Sequence, residues 1–273
     1  MPELPETETL ARDLDASLVG RSIAGVEVPH ADVLREIGPR VISRRLTGRT
    51  VLRVWRRAKA VVIDLDGDLR VVVVPRFTGG LLIRTSGAPD DRYDAVRFRL
   101  TDASTLAYRD VRRLGTVAVL DAEAFSAFDR RLGKEPLDPA FTASELSASL
   151  QSSTQPVKKI LMDQRRIAGV GNIYANEALW AAGIDPSRPA RSVSGPEAAK
   201  LRDALVDILA KAIGARGTTF RDFRDANGNR GGYMTQLAAY GRGGEPCRRC
   251  GTRLTLTHAV DGRATVFCHR CQS

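Results

Sequence analysis

The sequence is poor in cysteine and has no long apolar segment. Only four of its 273 residues are cysteine. No apolar run approaches the roughly 20 residues that a membrane-spanning helix needs, so we expect no membrane association. No secretory signal precedes the chain, and we therefore expect a cytoplasmic protein whose thiols are not held in disulfide bonds.

Acidic residues are too few to balance the basic ones. The chain has 42 Lys and Arg against 32 Asp and Glu, a formal net charge of +10 and a sequence pI of 9.9. Because the arginines are spread along the chain, we expect a folded basic surface and a polyanionic partner. A basic protein with no nucleic-acid role is the alternative on charge alone. The length is typical of two domains or one large domain.

The four cysteines form two C-x-x-C pairs near the C-terminus. They are Cys247, Cys250, Cys268 and Cys271, with 17 residues between the pairs. Four soft ligands at this spacing suit one tetrahedral Zn²⁺ ion. Alternating apolar residues lead to Asp261-Gly262, a hairpin signal, so we predict a β-hairpin zinc finger. Two disulfides or a redox pair are the alternatives, and His258 and His269 are expected to be bystanders.

The first half of the chain has the pattern of one helix followed by short strands. Leucine recurs at every fourth residue from Leu10 to Leu18, which predicts a helix over residues 1–20. Residues 21–121 show the strand pattern of a sandwich or barrel, with Asp66-Gly67 as a hairpin turn. The predicted strands are Val51–Val54, Ala60–Leu65, Leu69–Val74, Val96–Leu100 and Thr116–Leu120.

The second half is predicted to be helical after a connector. Residues 122–142 contain the glycine and prolines of that connector, and the apolar period is helical from Ser144 to Ile213. Ser194–Glu197 has the pattern of a capping box for the last helix. The predicted buried face of that helix consists of Ala198, Leu201, Leu205, Ile208, Leu209 and Ala212.

An unusual segment lies between these helices, at Gly169–Glu177. Two glycines and Asn172 precede a helical pattern there. Backbone N–H groups at such a helix start can bind a phosphate, and Asn172 can add a side-chain donor. A packing joint in which glycine allows close contact is the alternative.

The start of the chain would carry a reactive N-terminal amine if Met1 is removed, as is usual before proline. Pro2 would then carry a free secondary amine, and N-terminal amines have a pKa of about 7.7–8.0. An exposed, neutral amine can attack an electrophilic carbon and form an iminium. Glu3 could then transfer protons. A stiff proline arm leading into a helix is the alternative.

Three features together resemble the formamidopyrimidine-DNA glycosylase family, which includes the endonuclease VIII-type enzymes. They are the Pro2–Glu6 start, the Gly169–Glu177 segment and the four-cysteine finger, in that order. Asp110–Gly115 and Leu132–Leu137 also resemble family segments. The resemblance therefore covers nearly the whole chain.

The resemblance implies an α+β fold in three parts. These are an N-terminal β-sandwich framed by helices (residues 1–135), a helix–two-turn–helix domain (136–235) and a β-hairpin zinc finger (236–273). It also implies a monomer, associated with the nucleoid in the cytoplasm. The expected partner is double-stranded DNA that contains damaged bases or abasic sites and lies in a cleft between the halves.

The resemblance assigns the chemistry to the first residues. Pro2 would attack C1′ of a damaged deoxynucleotide, displace the base and form a Schiff base that undergoes β- and then δ-elimination. Glu3 would protonate the sugar oxygen, and Glu6 would orient Glu3. Lys59 matches the active-site lysine on the first hairpin, the proton donor for elimination.

Other family matches concern the DNA backbone. Lys158 matches a lysine near the lesion and the phosphates, and Asn172 matches a phosphate-binding asparagine. Arg263 matches the arginine of the finger that binds phosphate and donates a proton in δ-elimination. Such a clamp should make DNA affinity fall steeply with salt.

A base inside a duplex must be flipped out before it can be attacked. Family members fill the gap with three wedge residues, and the matching positions here are Phe77, Arg112 and Leu114. Met is common at the first position and Phe is usual at the third. Apolar wedges relieve lost stacking, but leucine stacks poorly, so we expect a relaxed preference for the opposite base.

Two segments depart from the family pattern. Val74 replaces a histidine, and Pro75-Arg76 changes the shape and charge of the loop that follows. The Thr218–Tyr233 segment matches the region that holds 8-oxoguanine, and it contains the glycine-rich stretch Asn227–Gly232. We expect these departures to affect the choice of lesion more than the type of reaction.

The leading hypothesis is a bifunctional DNA glycosylase and abasic-site lyase of base excision repair that acts on oxidised purines such as 8-oxoguanine and formamidopyrimidines. An endonuclease VIII-like enzyme for oxidised pyrimidines is the second hypothesis. A non-catalytic binder of damaged DNA is the third.

Overall fold

The computed structural model describes residues 2–273, so the expected loss of Met1 lies outside the described residues. The chain divides into two compact units. The first comprises Met1–Arg130 and Ala215–Gly232, and the second comprises Arg131–Gly214 and Tyr233–Ser273. The division into three domains at 135 and 235 stays a prediction. Within the described part of the chain, no helix is both long enough and apolar enough to cross a bilayer.

The first unit begins with helix α1, Leu4–Leu18. Proline occupies the first helical turn, where its missing N–H costs nothing. A reciprocal capping box joins Glu3 and Glu6 at the start of the helix. Leu10, Leu14 and Leu18 are buried on one face, which confirms the predicted helix.

Two antiparallel four-stranded sheets follow α1. The strands are β1 Ile23–Glu27, β2 Val51–Arg57, β3 Ala60–Leu65, β4 Leu69–Val74, β5 Gly79–Arg84, β6 Asp94–Leu100, β7 Thr105–Asp110 and β8 Thr116–Leu120. One sheet has the strand order β2-β3-β4-β8 and the other has the order β1-β6-β7-β5. Two helices accompany them, α2 Pro39–Leu46 and α3 Ala122–Asp129. The predicted α+β class with an N-terminal sandwich is confirmed.

The β2-β3-β4-β8 sheet is covered on both faces. Val71 and Val73 of β4 belong to the main core of the unit. Val72, which points the opposite way, packs in a second cluster with Phe125 and Phe128 of α3. A strand covered on both faces is apolar at every position, which explains the run Val71–Val74.

Three strands and two helices differ from the sequence-based expectation. Strands β1, β5 and β7 were not predicted, because Gly25 interrupts the pattern of β1, Gly79-Gly80 that of β5, and polar residues end β7. Helix α2 forms inside the region predicted to contain strands, with Ile42 and Leu46, four residues apart, buried on one face. The connector predicted over residues 122–142 is wrong at its start, where α3 forms. Asp121 caps α3 by accepting a hydrogen bond from Ala124 N, 2.9 Å. The glycine and prolines of the connector all lie beyond that helix.

The second unit contains four helices and a small hairpin. The helices are α4 Ala143–Gln151, α5 Val157–Met162, α6 Asn172–Ala182 and α7 Gly195–Gly214. All six residues predicted for the apolar face of α7 are buried. Ser194 N donates to Glu197 Oε2 at 2.7 Å, so the predicted contact at the start of α7 is present.

The hairpin of the finger pairs β9 Thr255–Thr257 with β10 Thr265–Phe267. The predicted hairpin is confirmed, but the tight Asp261-Gly262 turn is wrong. Thr257 pairs with Thr265, so residues 258–264 form a longer loop. Side chains of α5 and α6 hold the end of that loop, which removes the need for a two-residue turn.

Candidate active site and zinc centre

The first residues form a buried, hydrogen-bonded group. Pro2, Glu3 and Glu6 are all buried. Glu6 Oε2 accepts a hydrogen bond from Glu3 N at 2.9 Å, and Glu6 Oε1 accepts one from Thr218 N at 2.7 Å. One carboxylate therefore joins the start of α1 to a segment 212 residues further along the chain.

The burial of Pro2 differs from the exposed nitrogen that the sequence-based hypothesis required. In a chain that starts at Met1, the Pro2 nitrogen is an amide and has no nucleophilic lone pair. Removal of Met1 converts this amide nitrogen into a secondary amine. The nucleophilic role of Pro2 stays a prediction.

The segment that contacts Glu6 is tied to α1 at a second point. Arg216 Nη2 lies 2.6 Å from Asp13 of α1 and 2.6 Å from Asp225. Gly217 has φ +82°, and a Cβ there would lie 3.0 Å from the Glu6 side chain, so this position needs glycine.

Asp225 also orders the glycine-rich stretch that follows it. Its Oδ1 accepts hydrogen bonds from Asn227 N at 3.0 Å and Asn229 N at 2.8 Å. Arg216 and Asp225 were not singled out from the sequence, because an ordinary surface ion pair has the same local pattern.

Lys59 lies in the two-residue turn that joins β2 to β3, where Arg57 pairs with Ala60. Its neighbour Ala58 has φ +53°, the left-handed backbone conformation that tight hairpin turns use. Arg56 Nε donates to Glu8 Oε2 of α1 at 2.9 Å. The hairpin that carries Lys59 is thereby attached to the helix that carries Glu3 and Glu6.

The structure brings two of the three expected wedge residues into direct contact. The Arg112 guanidinium lies 4.7 Å from the centre of the Phe77 ring, a cation–π contact. Phe77 is 44% exposed and Leu114 is 39% exposed, which is unusual for large apolar side chains. Phe77 also has φ +48°, a conformation that non-glycine residues rarely adopt. These features are typical of a functional surface.

Asn172, Lys158 and Arg263 were expected at the DNA backbone. In the second unit they converge on the loop of residues 258–264, called the finger loop below. Asn172 Nδ2 donates to Ala264 O at 3.0 Å. Lys158 Nζ donates to Thr265 Oγ1 at 2.6 Å and to Ala264 O at 3.2 Å. The Arg263 side chain is 60% exposed and lies 3.6 Å from Asp261.

Lys158 is placed differently from a surface phosphate contact. Its side chain is fully buried, and Nζ lies 3.7 Å from Asp261 Oδ1. Its contacts with the loop suggest that it holds the backbone on which Arg263 is exposed. The direct DNA contact expected of Lys158 stays a prediction.

Glu177 has a role that the sequence did not indicate. Its carboxylate accepts hydrogen bonds from the backbone N–H groups of Ala238, Ala239 and Tyr240, at 2.8, 2.9 and 2.7 Å. Burial raises the pKa of Glu177, and the three N–H donors oppose that rise. The next residue back, Asn176, accepts from Val266 N of the finger at 2.7 Å. Because these partners lie 61 or more residues away along the chain, no local pattern marks them.

The four cysteines lie together in the second unit. Their Sγ atoms all lie within 4.8 Å of one another. Four thiolates bound to one zinc ion at about 2.3 Å are separated by about 3.8 Å, so the cluster fits one tetrahedral Zn²⁺. The predicted structural zinc centre is confirmed in its four ligands. His258 and His269 are exposed and do not belong to the cluster.

A β-sandwich, a helical unit and a four-cysteine finger on a chain with a net charge of +10 are typical of zinc-finger proteins that bind nucleic acid. Three family models match consecutive parts of the chain: the formamidopyrimidine-DNA glycosylase N-terminal domain over residues 1–117, the formamidopyrimidine-DNA glycosylase H2TH domain over 132–224, and a zinc finger found in FPG and IleRS over 244–273. The chain belongs to the formamidopyrimidine-DNA glycosylase family.

Individual relatives match over almost the full length. A formamidopyrimidine-DNA glycosylase of Moorella thermoacetica is 44% identical over 257 residues, covering 93% of each chain. One of Geobacillus kaustophilus is 39% identical and covers 100% of each chain. A Lactococcus lactis Fpg solved with DNA containing N7-benzyl-Fapy-dG has a TM-score of 0.93 at 32% identity and 100% coverage of both chains. The same protein solved with abasic-site DNA has a TM-score of 0.92 at 32% identity and 99% coverage of both chains.

Proposed function

We propose that this chain is a bifunctional DNA glycosylase and abasic-site lyase of base excision repair, acting on oxidised purines in double-stranded DNA. The arrangement of Pro2, Glu3 and Glu6 at the start of α1, in a chain of this family, carries the proposal. Relatives named formamidopyrimidine-DNA glycosylase, and a relative solved with DNA that contains N7-benzyl-Fapy-dG, support the purine preference. We propose a monomer that acts on the nucleoid in the cytoplasm.

The first chemical step uses the amine that Pro2 carries once Met1 is lost. Its nitrogen forms a bond to C1′ of the damaged nucleotide while the bond from C1′ to the base breaks, and the base leaves with the electron pair and a proton. The nitrogen, now bonded to C1′, loses its proton and regains a lone pair. That lone pair forms the iminium double bond to C1′ as the C1′–O4′ bond breaks and Glu3 gives a proton to O4′.

Strand cleavage follows from the iminium. The iminium makes the C2′ proton acidic. Loss of that proton expels the 3′ phosphate in β-elimination. A second elimination expels the 5′ phosphate. Lys59 and Arg263 are the proposed proton donors for these steps, and Glu6 keeps Glu3 in place through the 2.9 Å bond to its backbone.

DNA binding rests on the basic surface and on the finger loop. Asn172 and Arg263 are the proposed phosphate ligands, and Lys158 supports them from inside the loop through Thr265 and Ala264. Phe77, Arg112 and Leu114 are the proposed wedge residues that occupy the space of the flipped base. The net charge of +10 favours the approach of DNA.

Two features support a second candidate, an enzyme for oxidised pyrimidines. Leu114 is smaller than the usual aromatic wedge, and the Asn227–Gly232 stretch is glycine-rich. Both features favour a less selective site. Duplexes carrying 8-oxoguanine, formamidopyrimidine or thymine glycol separate the two candidates, since the purine-specific enzyme releases the first two lesions faster.

Borohydride trapping on abasic-site DNA tests the reaction itself. The wild type is expected to form a covalent adduct, with an intact mass that shows loss of Met1. Pro2→Gly should form far less adduct, and Glu3→Gln should bind DNA without releasing the base. Glu123→Gln, which alters an exposed glutamate of α3, is the matched control. A wild-type protein that binds abasic DNA without an adduct would support a non-catalytic binder instead.

A further inference from the structure

Two loops carry the expected wedge residues: residues 75–78, which include Phe77, and residues 111–115, which include Arg112 and Leu114. These two wedge loops meet at one buried carboxylate. Asp110 ends β7 and is 1% exposed. Its Oδ1 accepts hydrogen bonds from Thr78 Oγ1 at 2.7 Å and from Arg112 N at 3.2 Å. Its Oδ2 accepts from Tyr108 Oη at 3.0 Å and from Gly115 N at 2.9 Å. Each wedge loop is therefore bonded to this one side chain.

The Tyr108 hydroxyl fits into a space that two glycines leave open. A Cβ on Gly115 would collide with Tyr108 Oη, and a Cβ on Gly79 would lie 2.8 Å from it. These two glycines close the two wedge loops, so the same hydroxyl contacts both. Burial and the charge of Asp110 raise the pKa of Tyr108, so its hydroxyl stays protonated and donates to Asp110.

The backbone of both loops needs such a support. Phe77 has φ +48° and Arg113 has φ +51°. Non-glycine residues adopt this left-handed conformation at a cost in free energy, and it persists where surrounding contacts hold it. The bonds from Thr78 and Arg112 to Asp110 stand directly beside these two residues, which makes Asp110 the common support.

We propose that Asp110 is the positioning residue of the wedge. It fixes the Phe77 loop and the Arg112–Leu114 loop relative to each other, so that the stacked Phe77 and Arg112 side chains enter the duplex as one preformed unit. The proposal rests on the proposed function, because it assumes that these residues enter DNA. Asp110 itself does not touch the substrate.

Asp110→Asn is the most direct test, because each carboxylate oxygen accepts two hydrogen bonds. An asparagine has one acceptor oxygen, so its NH₂ group must face one backbone N–H and one hydroxyl. At least one of the two loops therefore loses a hydrogen bond to this residue. Thr78→Val is the milder second variant, since it keeps the Asp110 carboxylate and removes one hydroxyl, which donates to Asp110 and accepts from Arg112 N at 3.0 Å.

The control should disturb a similar carboxylate elsewhere in the same sheet. Asp94 of β6 is fully buried and accepts hydrogen bonds from Arg84, Arg97 and Asp91 N. None of these three partners belongs to a wedge loop. Asp94→Asn should lower the melting temperature and leave wedge insertion unchanged.

Wedge insertion is measured with a duplex that holds tetrahydrofuran, a stable abasic analogue, opposite 2-aminopurine. Insertion unstacks 2-aminopurine and raises its fluorescence. The expected result is loss of most of this rise in Asp110→Asn and a partial loss in Thr78→Val. Single-turnover release of 8-oxoguanine from duplex DNA should fall by about 30-fold in Asp110→Asn, which corresponds to ~2 kcal/mol.

A third measurement separates positioning from general damage. Cleavage of an abasic site in single-stranded DNA requires the Pro2 chemistry but no insertion into a duplex. Asp110→Asn and Thr78→Val should cleave this substrate within about twofold of the wild type, because neither touches the reacting atoms.

Three results would overturn the proposal. One is an unchanged fluorescence rise and unchanged duplex excision in Asp110→Asn. Another is an equal loss on single-stranded and duplex substrates in the folded Thr78→Val protein. A third is an equal loss of the fluorescence rise in Asp94→Asn. Failure of the wild type to form a borohydride adduct would instead count against the proposed function, so the two ideas fail separately.

Discussion

Replacing Glu6 with glutamine should damage both the stability and the chemistry of the first unit. The carboxylate accepts one backbone N–H on each oxygen, from Glu3 at 2.9 Å and from Thr218 at 2.7 Å. Glutamine can keep one of these bonds, and its NH₂ group then faces the other N–H. The substitution changes no volume, so the effect isolates the hydrogen bonds.

The size of the expected loss in stability follows from the burial of Glu6, which is only 1% exposed. A hydrogen bond to a charged group contributes about 1.5–3 kcal/mol, and a buried donor without a partner costs about 1–3 kcal/mol. Allowing for relaxation, we expect Glu6→Gln to lower the free energy of unfolding by about 2–4 kcal/mol. At ~2–4 °C per kcal/mol, the melting temperature should fall by about 5–15 °C.

The chemical effect is measured by borohydride trapping under single-turnover conditions. Loss of the Glu3 N bond lets the general acid move, so adduct formation should slow by about 10-fold or more, the effect of ~1.4 kcal/mol on the barrier. Thermal unfolding is measured in parallel, with Glu123→Gln as the exposed control. A Glu6→Gln protein with the melting temperature and trapping rate of the wild type would refute the reasoning.

Three further predictions concern other parts of the chain. Removing zinc with a chelator should unfold the finger and lower the melting temperature of the protein, because the cysteines that bind zinc are themselves part of the small core of the finger. Release of zinc is followed with a metal-binding dye, and an unchanged melting curve after full release would contradict this. Arg263→Ala should weaken binding to all DNA sequences and reduce the slope of log affinity against log salt by about 1, measured by fluorescence anisotropy; an unchanged slope would remove Arg263 from the phosphate contacts. The hydrogen bond from Arg188 lowers the pKa of Glu197 to about 2, from 4.5, so its contribution to stability is present above pH 4.5 and disappears as the pH falls towards 2. Glu197→Gln should therefore cost up to about 1 kcal/mol at pH 7, since the pair is partly exposed, and the difference from the wild type should vanish near pH 2 in denaturant titrations; a constant difference across pH would contradict the pKa argument.

Much of the fold was predictable because it depends on local spacing. The leucine repeat of α1 and the six-residue face of α7 follow from the helical period, and all of these residues are buried. The run Val71–Val74 indicated a strand, and the two C-x-x-C pairs indicated the zinc ligands. In each case the signal lies within a few residues of the structure that it predicts.

Other elements could not be predicted because their stability comes from distant partners. Helix α3 forms where glycine and proline suggested a connector, and Phe125 packs against Trp55 with ring centres 5.6 Å apart. Strands β5 and β7 have weak patterns of their own, yet they pair over six positions. Cross-strand pairing supplies the hydrogen bonds and the burial that the local sequence does not show.

The features of the candidate site also divide into those that the sequence determined and those that the tertiary structure decided. The sequence alone determined which groups are available: a proline beside two glutamates at the start, four thiolates at the end, and a basic chain between them. The tertiary structure alone decided that Glu6 meets Thr218, that Lys158 is buried under the finger loop, and that Asp110 joins two loops. The physical reason is that a side chain's chemistry is a property of the residue, whereas its partners depend on the path by which the folded backbone brings distant residues within hydrogen-bonding distance.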